Sequence, residues 1–143
     1  MSKTITRTVD TKAFFKSYEK AFSDLNVQKQ ADLFADAFIS AGPKGAIAQS
    51  KAEFVKMAAQ MAEHYRSIGQ ESVKILALDE TPISEQYALV KVHWGATFHK
   101  TGDRLIEFDV SYLLDKTGKE PKILLFIAHQ DEEKAMRDLG IEQ

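Results

Sequence analysis

Two runs of period-two hydrophobicity, Glu85 to His99 and Arg104 to Leu114, separated only by Lys100-Thr101-Gly102-Asp103, constrain this chain more than any other feature. In the first the even positions Ala88, Val90, Val92, Trp94, Ala96 and Phe98 are apolar, and in the second Ile106, Phe108, Val110, Tyr112 and Leu114 are. Side chains alternate between the faces of a strand, and residues opposite each other in a hairpin share a face. An odd-length loop, or an even one with a bulge, therefore puts both apolar sets on one side. The other side then carries Lys91, His93, Gly95, Thr97, His99, Glu107, Asp109 and Ser111. A long hairpin of this kind needs a second layer over its apolar face.

The residues before Ser72 supply that layer, because their period is helical. Asp10 or Thr11 caps a helix whose stripe is Phe14, Tyr18, Ala21, Phe22 and Leu25, leaving residues 1–9 as a flexible segment, and Asn26 ends it. Val27, Ala31, Phe34 and Ala35 continue the period as a second, shorter helix. Phe38-Ile39-Ser40 then reads as a short strand running into the breaker Gly42-Pro43-Lys44-Gly45. Ser50-Lys51-Ala52-Glu53 fits a capping box ahead of a third helix with Phe54, Ala58, Met61, Ala62 and Tyr65 inward and Gly69 as its left-handed cap. Val73 to Leu78 and Lys122 to Gln130 are further β-type runs. The short connections Asp79-Glu80-Thr81-Pro82 and Asp115-Lys116-Thr117-Gly118 make the strands pair in sequence as a meander. Asp131 caps a last helical turn or two with Met136 and Leu139 inward, closed by Gly140. The expectation is one α+β domain over residues 1–143, three N-terminal helices against a curved antiparallel sheet.

Composition narrows the function classes. A chain of 143 residues with 44% apolar and 28% charged side chains can build one well-cored domain. Its 19 basic and 21 acidic residues give a net charge of −2, so no nucleic-acid or anionic-membrane partner is expected. The absence of cysteine removes disulfides, thiolate metal sites and a cysteine nucleophile. The four histidines are scattered, with no HxH or HExxH spacing, so neither a metal nor a cofactor is expected. Gly42-Pro43-Lys44-Gly45 lacks the spacing of a phosphate loop. Without a signal-peptide core or an apolar run of membrane-spanning length, the expected location is cytoplasmic.

The segment Leu33-Phe34-Ala35-Asp36-Ala37-Phe38-Ile39-Ser40-Ala41-Gly42-Pro43-Lys44-Gly45 resembles the "LFADDATVEDPxG" stretch of nuclear transport factor 2-like domains. That group includes ketosteroid isomerases, SnoaL-type polyketide cyclases and limonene epoxide hydrolases. The first-helix pattern and the closing strand Lys122 to Gln130, followed by Asp131, fit the same family, so the resemblance covers nearly the whole chain. It implies a cystatin-like cone with a cavity between sheet and helices, and a homodimer joined through the outer sheet face. Carried over residue by residue, Tyr18 falls on the isomerase's oxyanion-donating tyrosine. The catalytic aspartate is replaced by Gly42 and the second oxyanion acid by Val110, with Asp109 one residue away on the opposite face. Proton abstraction needs a positioned acceptor, so ketosteroid isomerisation is not expected.

The candidate ligand-binding residues are Tyr18 and Tyr65 from the helices and Trp94, Phe98, Phe108, Tyr112 and Phe126 from the sheet, with Gln130 as a polar group at the mouth. Plain packing accounts for each aromatic singly, whereas the set on one concave surface favours an apolar pocket with a few polar handles. His93 and Asp109 are close enough to pair across adjacent strands, either as a histidine and carboxylate orienting a base or as an ordinary polar face. His129 points outward; His64 and Arg66 sit at a helix end, where basic side chains complement the dipole or meet an anion. Two functions compete: binding of a small, largely apolar molecule, with SnoaL-like isomerase, cyclase or hydratase chemistry as one form, and a non-catalytic dimerisation or scaffold module with a filled cavity. Ile123, Leu125 and Ile127 are expected outward, an apolar row that a homodimer would bury, while Leu124, Phe126, Ala128 and Gln130 face inward.

Overall fold

A computed structural model describes residues 2–67, 69–98 and 105–130. The hairpin forms as its pattern requires. In β4 (Tyr87–Phe98) and β5 (Leu105–Asp115), Ala88 lies opposite Leu114, Val90 opposite Tyr112, Val92 opposite Val110, Trp94 opposite Phe108 and Ala96 opposite Ile106. All ten are buried. Same-parity pairing puts both apolar sets on one side of the sheet.

With β1 (Phe34–Gly42), β2 (Gly45–Ser50), β3 (Gln70–Pro82) and β6 (Lys122–Ala128), the hairpin belongs to a six-stranded sheet ordered β2-β1-β6-β5-β4-β3. Neighbours are antiparallel except β1 and β6, which run parallel. Helices α1 (Ser2–Ser23), α2 (Val27–Asp32) and α3 (Lys51–Ser67) lie on the inner face. The architecture is the expected α+β cone, three helices against a curved, mainly antiparallel sheet. No helix among the described residues is long and apolar enough to cross a membrane.

The helix ends follow local chemistry. Leu25 adopts a left-handed φ of 54°, and the Asn26 and Leu25 amides donate to Ala21 and Phe22 carbonyls at 2.8 and 3.1 Å, closing α1 in a Schellman turn. Asn26 then caps α2, its Oδ1 accepting from the Lys29 amide at 3.1 Å. Both bonds of the capping box form: the Glu53 amide donates to Ser50 Oγ at 3.2 Å, and the Ser50 amide donates to Glu53 Oε1 at 2.8 Å. Gly69 takes the left-handed conformation at φ 73° after α3.

Several expectations are corrected. Helix α1 is helical from Ser2, ahead of the Asp10 or Thr11 cap. Phe34 and Ala35 leave the helical period: α2 stops at Asp32 because the chain pairs with β6, the Ile123 amide donating to the Leu33 carbonyl at 2.9 Å. The segment Gly45–Ser50 is a strand, hairpinned to β1 through Pro43 and Lys44 with Gly45 at φ 131°. Asp79 to Pro82 is strand; the turn falls on residues 83–86, and Pro82 is tolerated because β3 is an edge. In β6, Leu113 pairs with Leu125 but Leu114 with Ile123, so the strand shifts register at Leu124. Ile123 is thereby turned inward and fully buried instead of outward, whereas Phe126 and Ala128 keep their inward parity opposite Tyr112 and Val110. The helix expected after Asp131 and the turn Lys100 to Asp103 lie outside the described residues.

One buried ion pair joins three distant parts of the chain. Lys116, after β5, donates from Nζ to Glu80 Oε2 of β3 at 2.7 Å and to Thr11 Oγ1 of α1 at 2.6 Å. The Thr11 hydroxyl in turn donates to Glu80 Oε2 at 3.0 Å. The Lys116 and Glu80 side chains are only 6% and 7% exposed, so removing one charge strands the other away from water. Lys116→Met is expected to destabilise the fold by about 3 kcal/mol in urea unfolding. The double variant Lys116→Met/Glu80→Leu should recover most of that loss, and a double variant no more stable than the single one would show that the charges are not the cause.

Candidate functional site

The inner face of the sheet and the helices enclose an open cavity of about 830 Å³. Strand alternation decides its floor: Trp94 on β4, Phe108, Val110 and Tyr112 on β5, and Phe126 and Ala128 on β6 all project to the same side. Helix α1 contributes Tyr18 and Phe22, and the helical period of α3 brings Phe54, Met57, Ala58, Met61 and Tyr65 onto the opposite wall. The β1–β2 hairpin from Ser40 to Ile47 forms the rest of the rim. Aromatic rings dominate the deep end, with Tyr18 5.6 Å from both Trp94 and Tyr112 between centroids, and Phe126 6.4 Å from Tyr112.

Polar groups are few and placed. Trp94 Nε1 donates to the Tyr112 hydroxyl oxygen at 3.1 Å, a fully buried hydrogen bond that orients both rings. An indole N–H is only a donor, so the Tyr112 oxygen is the acceptor and its own hydrogen is directed elsewhere. Gln30 and Gln130 reach the cavity surface, and Gln130 Oε1 also accepts from the Asp109 amide at 2.8 Å, tying the end of β6 to β5. His64 and Lys44 also line the cavity.

Seven of the eight candidate residues, Tyr18, Tyr65, Trp94, Phe108, Tyr112, Phe126 and Gln130, thus lie on this one surface. Phe98 does not. It packs 6.1 Å from Tyr65 beside a small separate void with Val73, Ala96 and Ile106. Arg66 is exposed and paired with Glu63 at 3.2 Å, away from the cavity, while its neighbour His64 turns toward it. Sequence reasoning missed Leu25, Met57 and the hairpin rim. Met57 is four residues before Met61 on α3 and was recoverable from the helical period; the rim was not, since Gly42 to Gly45 reads only as a breaker.

The His93 and Asp109 pair forms, but on the outer face of the sheet. His93 Nδ1 meets Asp109 Oδ1 at 2.7 Å and Nε2 meets Glu107 Oε1 at 2.8 Å. Hydrogen bonds to Glu107 and then Asp109 raise the His93 pKa above its ordinary value of 6.5, and the His93 contact in turn holds the Asp109 carboxyl below the usual carboxylate value. Alongside, His129 is also outward, with Nε2 2.7 Å from Ser111 Oγ. These groups face away from the cavity and cannot serve chemistry inside it. No cluster of three or more potential metal ligands occurs among the described residues.

Residues 9–131 match the family described as NTF2-like protein (DUF6841). No curated protein matches. Among solved structures, a protein of unknown function with a cystatin-like fold from Nostoc punctiforme superposes with a TM-score of 0.71 at 12% identity, over 87% of this chain and 90% of that one. A scytalone dehydratase-like protein from Novosphingobium aromaticivorans gives 0.74 at 14% identity, over 89% and 85%. A ketosteroid isomerase-like protein from Erwinia carotovora atroseptica gives 0.58 at 16% identity, over 82% and 91%. At these identities the likeness is one of fold.

The outer-face cluster has a pH signature. A histidine whose folded pKa is raised contributes stability that is complete below 6.5 and is lost as pH rises through the raised value. Asp109, with its pKa lowered, contributes stability present above the ordinary carboxylate range and lost only in acid. Unfolding midpoints measured from pH 6 to pH 9 should therefore fall more steeply for the wild type than for His93→Gln. Parallel curves would mean that the triad adds nothing in solution.

Proposed function

The chain belongs to the NTF2-like protein family, and we propose that it works by binding a small, largely apolar molecule inside the cone. The observation that carries this reading is the open volume. Protein interiors are close-packed, with few voids larger than a water molecule, so a core of this size would fill a cavity of about 830 Å³ if packing were its only task. That volume lies within the roughly 300 to 1,000 Å³ of small-molecule sites. At the mouth Ile47, Met57 and Met61 are 60%, 41% and 37% exposed, and such adaptable apolar side chains suit a surface across which a ligand passes. A scaffold with a self-filled cavity is the competing reading, and the unfilled volume counts against it.

Isomerase, cyclase or dehydratase chemistry is the narrower version of the same reading, in keeping with the descriptions of two structural neighbours. Among the described residues, the polar groups on the cavity surface are tyrosine, glutamine, serine, lysine and imidazole side chains, with no carboxylate. Native mass spectrometry of the purified chain should detect a co-purified small molecule, and apolar compounds should change the fluorescence of Trp94, the only tryptophan. Bare protein in every preparation, with fluorescence unmoved by any compound, would favour the scaffold.

We propose in addition that two copies pair through the outer sheet face. Ile39, Leu125, Leu113 and Leu89 stand opposite one another across β1, β6, β5 and β4, with Ile127 beside them. Ile39, Leu89 and Ile127 are each more than 40% exposed, a continuous apolar row that a two-fold axis would cover on both copies at once. Sedimentation equilibrium at micromolar concentration should return twice the 16.1 kDa chain mass, and Leu125→Asp should halve it without changing the circular dichroism. A wild-type mass of 16.1 kDa would defeat the pairing.

A further inference from the structure

The side-chain amide of Gln30 is fixed at one end and open at the other. Gln30 lies on α2, half-buried, and lines the cavity with Phe22 and Leu25 of the α1–α2 junction. Its Nε2 donates to the Ala21 carbonyl at 3.2 Å, the same carbonyl that accepts the Asn26 amide in the turn closing α1. A carbonyl oxygen only accepts, so the amide nitrogen must be the atom facing Ala21, and Oε1 is thereby directed away from the turn. Among the described residues no group donates to Gln30 Oε1, and the atom is not sealed inside the core. Ser40 of β1 is a second half-buried polar residue on the cavity surface, and no side-chain bond to its hydroxyl forms among the described residues.

Solvent can satisfy these atoms while the cavity is open, but an apolar body that fills it displaces that solvent. A buried acceptor left unmet costs more than an ordinary hydrogen bond contributes, so sites built with such groups reject analogues that lack the matching function. The function both residues can accept is an O–H or N–H, since a carboxamide oxygen only accepts and a hydroxyl accepts as well as donates. We infer that the occupant is an apolar molecule carrying a hydrogen-bond donor, an alcohol in its simplest form, and that Gln30 Oε1 receives it. The inference rests on the binding reading above and adds the polar function of the ligand. Gln30 is favoured over Ser40 because its amide is already held by Ala21, whereas a serine hydroxyl rotates, and an acceptor set in advance loses less freedom on binding.

Three probes with one body separate this function from binding itself: 4-phenylbutanol, its methyl ether and pentylbenzene, each titrated against the wild type and Gln30→Met and followed by Trp94 fluorescence. The alcohol donates a hydrogen bond, the ether only accepts one, and the hydrocarbon does neither. Gln30→Met should weaken the alcohol about five-fold, the worth of one hydrogen bond, and leave the ether and the hydrocarbon unchanged. Unchanged binding of those two also shows that the variant keeps its cavity. An equal loss for all three probes makes Gln30 a structural residue and overturns the inference. An alcohol affinity untouched by Gln30→Met, or lost only in Ser40→Ala, overturns it as well, and in each case the binding reading stands. If none of the three binds the wild type, the binding reading falls and the inference with it.

Discussion

The structure depends on the registered pairing of β4 with β5. Five opposed pairs, from Ala88 with Leu114 to Ala96 with Ile106, place ten buried apolar side chains of the two strands on one side. Burying a side chain of this size is worth about 1.5 to 3 kcal/mol, and a slip of one residue would turn the whole set to water. That penalty holds the register without help from the loop. Once it is held, the inner face receives Trp94, Phe108 and Tyr112 and the outer face receives Lys91, His93, Glu107 and Asp109, so the cavity and the polar outer cluster are two consequences of one alternation.

The helices complete the cone from the other side. Phe15, Tyr18 and Phe22 of α1 stack on the wall that Tyr112 and Trp94 begin, and Phe34 and Phe54 meet 4.7 Å apart where β1 and α3 close the base. Packing is dense there and along β4, yet the space between α3, the β1–β2 hairpin and the end of β6 remains open. The Lys116, Glu80 and Thr11 cluster holds α1 to the sheet through β3 and the segment after β5. A rigid shell around an unfilled space is the arrangement a ligand site requires.

The placement of the ionisable groups separates two roles that look alike in the sequence. The histidine–carboxylate pair most suggestive of acid–base chemistry, His93 with Asp109, lies on the outer face. Among the described residues, His64, at a helix end, is the histidine that lines the cavity, because α3 presents it on the same side as Met57 and Met61. Parity alone put Asp109 outside and Val110 inside; the turn of His64 toward the cavity rather than solvent was not legible in that way.

Period, caps and parity belonged to the sequence by itself, because they are local. The β4–β5 face assignment, the Ser50 and Glu53 capping box, the left-handed Gly69 and the boundary between α1 and α2 at Asn26 each depend on residues within a few positions or on strict alternation. Of the seven candidate residues on the cavity surface, the five from the sheet followed from the same alternation, and Tyr18 and Tyr65 from the helical period. Tertiary contact decided the rest, wherever a distant partner outweighed a local preference. Phe34 left a helical pattern for a parallel pairing with Ile123; Gly45–Ser50 became a strand because β1 lay beside it; and the shift at Leu124 turned Ile123 into the core. Whether the aromatic set fills its cone or leaves it open also lay beyond the sequence. The answer depends on the distance between α3 and the sheet, which no residue specifies alone.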